Sequence, residues 1–189
     1  MRTAAFLVMA LLAAGHSPAF AWTANDATLV RIAREVVNPP DGSTFEQLYP
    51  PSGPKSQGHQ NASAQCNLYN TCSASLVNNL ERTYTKASGD PNLTLTVTAL
   101  LYALVSVGGP GANSALGRAG YEQSPGSGWD RVTRQTNGSD GKTVEFDKVL
   151  QETTTVQIPM ESQGEASRTP PAGYAYGYGN TTVTLPNPP

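Results

Sequence analysis

The stretch 92-NLTLTVTALLYALVSVGG-109 decides between a helical and a β fold for this chain. In its first part, Leu93, Leu95 and Val97 alternate with threonines, which is typical of a half-buried strand. The second part, ALLYALVSV, contains few β-branched residues and favours a helix. Asp90 and Pro91 precede the stretch and suit a helix N-terminus. We therefore predict a buried helix over 93–107, with a strand as the alternative, and the stretch is too short and too rich in threonine to cross a membrane.

The residues before this stretch also carry helical patterns. In the segment 25–38, six apolar residues follow helical spacing: Leu29, Val30, Ile32, Ala33, Val36 and Val37. Two prolines follow the segment and would end the helix. Ser43 and Glu46 form a capping-box pattern that predicts one short helical turn. A third apolar stripe, from Leu76 to Tyr84, predicts a helix that ends at Gly89. The intervening segment 50–65 is rich in Pro, Gly, Ser and Gln and is predicted to be an exposed loop.

After Gly109 the patterns favour strands. Residues 129–150 suggest a β-hairpin around the turn-forming sequence NGSDG, and TTTVQIP (153–159) a third strand. Residues 160–189 are polar and rich in proline and tyrosine, which predicts an extended or disordered tail. The alternative for TTVTL within this tail is an edge strand. The expected fold is thus α+β: a helical N-terminal half, a small antiparallel β-sheet, one small disulfide loop and a loose C-terminal tail. We expect residues 22–159 to form a single exported domain.

The N-terminal residues 1–21 resemble a secretory signal peptide. Arg2 is followed by an apolar core over 4–14 and by the small-x-small pattern at 19–21. The core is shorter than the roughly 18 residues that a membrane anchor needs. We predict cleavage after Ala21, no transmembrane segment in the mature chain, and a secreted or periplasmic protein.

The chain has two cysteines, Cys66 and Cys72, separated by five residues. This spacing does not fit a C-x-x-C redox motif, and two thiols without convergent histidines do not complete a zinc site. An exported protein with an even pair of cysteines favours a disulfide. The pairing requires that the intervening residues turn back, since bridged Cα atoms lie about 5.5 to 6 Å apart. Free thiols and a bridge between chains are the alternatives.

The net charge of the chain and the motifs it contains argue against several classes of function. The formal net charge is −2 and no cluster of Lys and Arg occurs, so we predict no nucleic-acid partner. No phosphate-binding, metal-ligand or nucleophile-elbow motif is present, and we predict no cofactor and no metal. The weak catalytic candidates are His59, the only imidazole after residue 21, and the carboxylates of Glu145 and Asp147.

Aromatic residues supply the candidates for binding. Trp129 begins the predicted hairpin, and Tyr174, Tyr176 and Tyr178 alternate, so that an extended segment presents all three on one side. Such rings stack on sugars or on a protein partner. We therefore expect an exported noncatalytic binding or envelope-associated protein with a protein or glycan partner. The alternative is a small secreted hydrolase or toxin in which His59 and a carboxylate of the 129–150 hairpin converge.

Overall fold

The structure, a computed structural model, describes residues 22–38, 41–49, 55–66, 71–169 and 173–189. These residues form eleven β-strands and no helix, so the predicted α+β fold with a helical N-terminal half is wrong. The strands are β1 (Thr23–Ala24), β2 (Thr28–Val37), β3 (Gly42–Tyr49), β4 (Gln57–Cys66), β5 (Thr71–Thr85), β6 (Leu93–Gly108), β7 (Ser114–Glu122), β8 (Trp129–Arg134), β9 (Gly138–Leu150), β10 (Thr154–Ser167) and β11 (Tyr174–Thr184).

The strands form two antiparallel sheets that pack face to face. In sheet 1 the order is β1-β5-β10-β7-β8, and β2 pairs with β5 beside β1. In sheet 2 the order is β3-β4-β11-β6-β9. The side chains that alternate inward from both sheets form the interior, as in other β-sandwiches.

Residues 93–107, for which we predicted a buried helix, form most of strand β6. The alternation of its first part continues without a break, and every odd-numbered residue from 93 to 105 is buried. Leu100 and Tyr102 lie on the other side of the strand and are exposed. Because apolar residues occupy both sides of this strand, the period of two is hidden in the sequence, and the strand alternative is the correct one.

The other predicted helices are strands as well. The segment 25–38 contains β2, an edge strand whose Val30 and Ile32 are exposed, and the residues from Leu76 to Tyr84 belong to β5. Ser43 and Glu46 do not cap a helix but lie in β3. Packing in a sheet overrides the helical spacing in each case.

The segment predicted to be an exposed loop, 50–65, is also ordered in part as a strand. Residues 50–54 lie outside the described residues, but from Gln57 onward the chain forms β4 and pairs with both β3 and β11. Its inward residues are small except for the polar Gln60, so no large apolar residue reveals the strand in the sequence.

The second half contains strands, as predicted, but their pairing differs. β8 and β9 do not form a hairpin, because β8 pairs with β7 in sheet 1 and β9 pairs with β6 in sheet 2. The predicted loose tail is wrong too. Met160 to Ser167 complete β10, and β11 lies in the middle of sheet 2, between β4 and β6.

The interior is divided into two parts of different composition. The apolar core contains large side chains and lies toward the end of the sandwich that includes Trp22 (Leu80, Tyr84, Leu95, Val97, Leu101, Tyr121, Ile158, Met160, Val183, Leu185). The glycine–alanine zone lies toward the disulfide and is made of small residues (Ala64, Ala74, Ala115, Gly117, Gly164, Ala166, Ala175, Gly177, Gly179). The buried polar side chains of Gln60, Ser162 and Thr181 lie between the two parts and hydrogen-bond to one another or to nearby backbone.

Cys66 and Cys72 form a disulfide, as predicted, with Cα atoms 5.8 Å apart. Cys66 ends β4 in sheet 2 and Cys72 lies in β5 of sheet 1, so the bond joins the two sheets where the chain crosses between them. Both residues are buried in the glycine–alanine zone. The intervening residues 67–70 lie outside the described residues.

The opposite end of the sandwich is closed by Arg82, which is almost completely buried. Its guanidinium donates to the carbonyl oxygens of Asn25 (2.8 Å) and Leu185 (2.7 Å) and to the side-chain oxygen of Asn187 (2.6 Å). A buried charge is tolerated when its donors are satisfied in this way. Arg82 thereby ties the first and last described segments to β5.

Candidate binding face

One outer surface of the sandwich brings together the aromatic residues that the sequence suggested. It is the side of sheet 2 that points away from sheet 1. The strand registers place Phe45 beside Asn61, Asn61 beside Asn180, and Asn180 beside Tyr102. We call this surface the tyrosine face and define it by eight outward side chains, Phe45, His59, Asn61, Tyr102, Thr143, Tyr176, Tyr178 and Asn180.

The alternation of β4 and β11 explains why these side chains point outward. In β11, Ala175 and Gly177 lie between the tyrosines and Gly179 follows Tyr178, and all three face sheet 1. A Cβ atom on Gly177 or Gly179 would overlap backbone atoms of sheet 1, so larger residues are excluded on the inner side. The tyrosines of β11 therefore lie on the outer side.

The tyrosines contact one another. The rings of Tyr176 and Tyr178 are nearly parallel, with centroids 6.4 Å apart, and Tyr102 meets Tyr178 edge to face at 6.2 Å. The side-chain amide of Asn180 donates to the Tyr178 hydroxyl at 3.0 Å. Burial, together with the neighbouring Tyr178, raises the pKa of Tyr176. The Tyr176 hydroxyl is therefore a neutral donor and acceptor at physiological pH.

His59 is part of the same surface. Its Nδ1 lies 2.9 Å from the Thr182 hydroxyl, and its Nε2 lies 3.4 Å from the amide nitrogen of Asn180. Its ring and the ring of Phe45 form a T-shaped pair with centroids 6.0 Å apart. Burial lowers the pKa of His59. The arrangement suits a neutral imidazole that carries its proton on Nδ1 and accepts from Asn180 on Nε2.

A shallow depression of about 500 Å³ lies at one side of the tyrosine face. It is lined by Leu100, Tyr102, Gly141, Thr143 and Asn180, together with Leu101 and Lys142. Gly141 lies directly opposite Tyr102 in the register of β6 and β9, and a Cβ atom there would meet nothing closer than 3.6 Å. The missing side chain of Gly141 therefore leaves open space next to the ring of Tyr102.

The eight side chains of the tyrosine face carry no carboxylate, ammonium or guanidinium group, whereas the outer side of sheet 1 is charged. None of the eight defining residues is an Asp, Glu, Lys or Arg. On the outer side of sheet 2, the carboxylates of Glu145 and Asp147 lie further along β9, beyond Thr143. Lys142 lines the depression, but its Nζ lies 2.7 Å from Asp130 of sheet 1. On the outer side of sheet 1, Arg131 forms a two-pronged ion pair with Glu161, and Arg118 donates to Gln163 at 3.1 Å.

The structure does not bring His59 together with the carboxylates that were its candidate catalytic partners. Glu145 and Asp147 lie on β9, and the strands β11 and β6 separate β9 from β4. Three spacings between neighbouring strands amount to about 14 Å. Asp147 instead accepts a hydrogen bond from the Thr96 hydroxyl at 2.9 Å.

The other predicted binding residues are placed in two locations. Trp129 begins the edge strand β8 of sheet 1, where the guanidinium of Arg131 lies 5.2 Å from its ring centroid. Tyr174 is exposed at the start of β11, and its ring lies over Gly108 of β6. Trp129 therefore does not share a surface with Tyr176 and Tyr178.

Within the described ranges, no three His, Cys, Asp or Glu side chains converge as ligands for a metal ion. Nor does any helix in that part of the chain have the length and apolar character needed to span a membrane. Compared with known protein families and with curated proteins, the chain matches none of them.

Sequence reasoning identified the tyrosines but missed their neighbours. Phe45, Asn61, Tyr102 and Asn180 come from four strands, and all four segments were predicted to be helix, loop or tail. A signal was present in GHQNASAQC (58–66), where, apart from Gln60, small residues alternate with His, Asn, Ser and Gln. The sheet order, which places β11 between β4 and β6, carries no local signal in the sequence.

Proposed function

We propose that the protein is an exported, noncatalytic binding protein that contacts its partner through the tyrosine face. The observation that carries this proposal is the continuous row of Tyr, Asn, His and Phe side chains across sheet 2. Rigid, amphipathic tyrosines provide contact area at a small cost in conformational entropy, and Asn provides adaptable hydrogen bonds. The side chains lie on paired strands, so they are positioned before the partner arrives.

The placement of His59 supports contact more than turnover. Its two ring nitrogens lie near neutral groups of β11, and the candidate carboxylates lie beyond two intervening strands. A general base must lie within hydrogen-bond reach of its proton donor and be oriented by a further group. His59 is thus better suited to ordering the face together with Asn180 and Thr182.

Retention on the native envelope fraction of the source cells tests the proposed function. The purified mature protein is incubated with that fraction and the bound share is measured after washing. We expect the double variant Tyr102→Ala/Tyr178→Ala to lose at least nine-tenths of the binding. Trp129→Ala is the matched control, because it removes an aromatic ring from the opposite sheet. Loss of binding with Trp129→Ala and not with the double variant would refute the tyrosine face, provided that both variants melt like folded protein.

Export is the second part of the proposal. The disulfide between Cys66 and Cys72 is the pairing expected in an oxidising compartment. Residues 1–21, the predicted signal peptide, lie outside the described residues. The indole of Trp22, which would begin the mature chain, donates to the Pro91 carbonyl at 2.9 Å and is buried. We expect the intact mass of protein recovered outside the cytoplasm to begin at Trp22, and a mass that includes residues 1–21 would contradict export with cleavage at this position.

A further inference from the structure

We infer that the ligand of the tyrosine face is an uncharged glycan chain, with one or two of its sugar rings seated in the depression beside Tyr102. This inference rests on the proposed function and specifies its ligand class. It follows from three properties of the face: its charge, its hydrogen-bonding groups and its shape.

The lack of charged side chains on the tyrosine face argues against charged polymers as partners. The register rows that cross sheet 2 from Gln47 to Thr143 and from Phe45 to Gly141 contain no Asp, Glu, Lys or Arg side chain on the outer side. Their one imidazole is that of His59, whose pKa is lowered by burial. Polyanions such as nucleic acids or acidic polysaccharides require lysines and arginines for binding. Charged surfaces are also recognised by opposite charge. An uncharged face of this kind therefore fits an uncharged partner.

The hydrogen-bonding groups fit a ligand rich in hydroxyls. Asn61 and Asn180 each carry an amide donor and an amide acceptor, and Thr143 and Tyr178 carry hydroxyls that do both. A sugar hydroxyl is also donor and acceptor at once. The C–H side of a sugar ring is apolar and packs against aromatic rings, such as the exposed ring of Tyr102. The face thus offers both kinds of contact side by side.

The shape favours a small unit that belongs to a longer chain. The volume of about 500 Å³ falls within the range of small-ligand sites, which is about 300 to 1,000 Å³. The depression is open, and from Asn180 the outward side chains of Tyr178 and Tyr176 continue the polar and aromatic surface along β11. A chain seated beside Tyr102 can therefore run on across these residues.

The test is a binding panel with the mature protein. The uncharged probes are the hexaoses of cellulose, xylan, mannan, chitin and starch, and the charged probes are hexagalacturonate and a heparin hexasaccharide. Binding is measured by titration calorimetry and by amide chemical shifts. We expect at least one uncharged hexaose to bind and to shift the amides of Tyr102, Gly141 and Asn180, with no comparable shift from a charged probe.

Two variants locate the site. Gly141→Val fills the depression, and because the space is open and valine suits a strand, the fold is expected to tolerate it. We expect this change and Tyr102→Ala each to weaken binding of that hexaose at least tenfold, while Trp129→Ala leaves it unchanged. Binding that Gly141→Val and Tyr102→Ala do not alter would overturn the inference.

The panel also separates this inference from the proposed function. If no uncharged hexaose binds, or if a charged probe binds best, the glycan assignment is refuted. If in that case the Tyr102→Ala/Tyr178→Ala variant still loses envelope binding, the face binds a different partner and the proposed function stands. If the variant keeps envelope binding as well, both proposals fail.

Discussion

The two parts of the interior differ in how the space between the sheets is filled. In the apolar core, side chains such as Leu101 and Ile158 fill the space between the sheets. In the glycine–alanine zone the space is so narrow that a Cβ atom on Gly117 would come within 2.6 Å of the Leu104 carbonyl oxygen. Burial of apolar area stabilises by about 25 cal/mol per Å², so small residues gain little from it. The glycine–alanine zone also contains the disulfide between the sheets, a bond that the apolar core does not have.

The comparison predicts that the glycine–alanine zone tolerates no increase in size. In Gly177→Val the new side chain would overlap the carbonyl oxygens of Leu116 and Glu165, which belong to two strands of sheet 1. Backbone atoms cannot move aside as a flexible side chain can, so the sheets would have to separate. We expect a loss of more than about 4 kcal/mol, seen as failure to fold by circular dichroism and NMR.

Gly141→Ala is the matched control for this change. It is also a glycine-to-larger substitution in a strand of sheet 2, but its nearest neighbour would lie 3.6 Å away. We expect its melting temperature to equal that of the wild type within a few degrees. A Gly177→Val protein that melts near the wild type would show that the close approach of the sheets is not a constraint.

The apolar core should respond to the reverse change. Leu101→Ala removes a fully buried side chain from β6 and leaves a cavity among large neighbours. We expect a loss of about 3 kcal/mol in the free energy of unfolding, measured in urea. Leu100→Ala, on the same strand but exposed, should change it by no more than about 0.5 kcal/mol. Equal losses for the two variants would contradict the assignment of inner and outer sides.

Removal of the disulfide tests how much this bond stabilises the glycine–alanine zone. The double variant Cys66→Ser/Cys72→Ser opens a small ring and should lose about 2 kcal/mol without losing the fold. The measurement is urea unfolding of the variant beside wild-type protein, oxidised and reduced. Reduction should lower wild-type stability by a similar amount and leave the variant unchanged. Two thiols that react with an alkylating agent in the oxidised wild type would disprove the bond.

The smallest effect on stability is expected from His59, which lies outside both parts of the interior. Burial lowers its pKa below 6.5, so the unfolded chain binds more protons than the folded one below about pH 6.5. The contribution of His59 to stability is therefore constant above that pH and falls as the pH drops through the folded pKa. We expect a small decrease in melting temperature from pH 7.5 to 5 that His59→Gln partly removes.

An NMR titration of the His59 ring in the mature chain gives the pKa directly. We expect a midpoint below 6.5. A midpoint above that value would mean that a carboxylate stabilises the charged ring, and it would reopen the question of acid–base chemistry at this position.

The division of the interior also explains which parts of the fold the sequence predicts. The disulfide was predicted correctly because it depends on cysteine number and spacing alone. Strands β8, β9 and part of β10 were recognised because turn residues bound them and β-branched residues fill them. Their pairing was not, since nothing local in residues 129–150 shows that β8 and β9 belong to different sheets.

The small residues of the glycine–alanine zone explain why strands β4 and β11 were predicted to be a loop and a tail. Strands β4 and β11 bury Ala62, Ala64, Ala175 and Gly177 and expose Asn, Ser and Tyr, so they resemble a polar loop and a tail when only large apolar residues are counted as buried. A period of two in residue size would have revealed both strands. The same pattern would have placed the tyrosines on an ordered sheet.

The position of β11 has a consequence for the order of folding. Its partners on either side, β4 and β6, are made much earlier in synthesis, yet they are not adjacent and cannot join until residues 174–184 lie between them. Sheet 2 is therefore completed by its last-synthesised strand, and until then two unpaired strand edges are exposed to other chains. Such long-range pairing is slow, typically milliseconds to seconds. A chain shortened before Tyr174 is thus expected to aggregate and not to form a smaller stable fold.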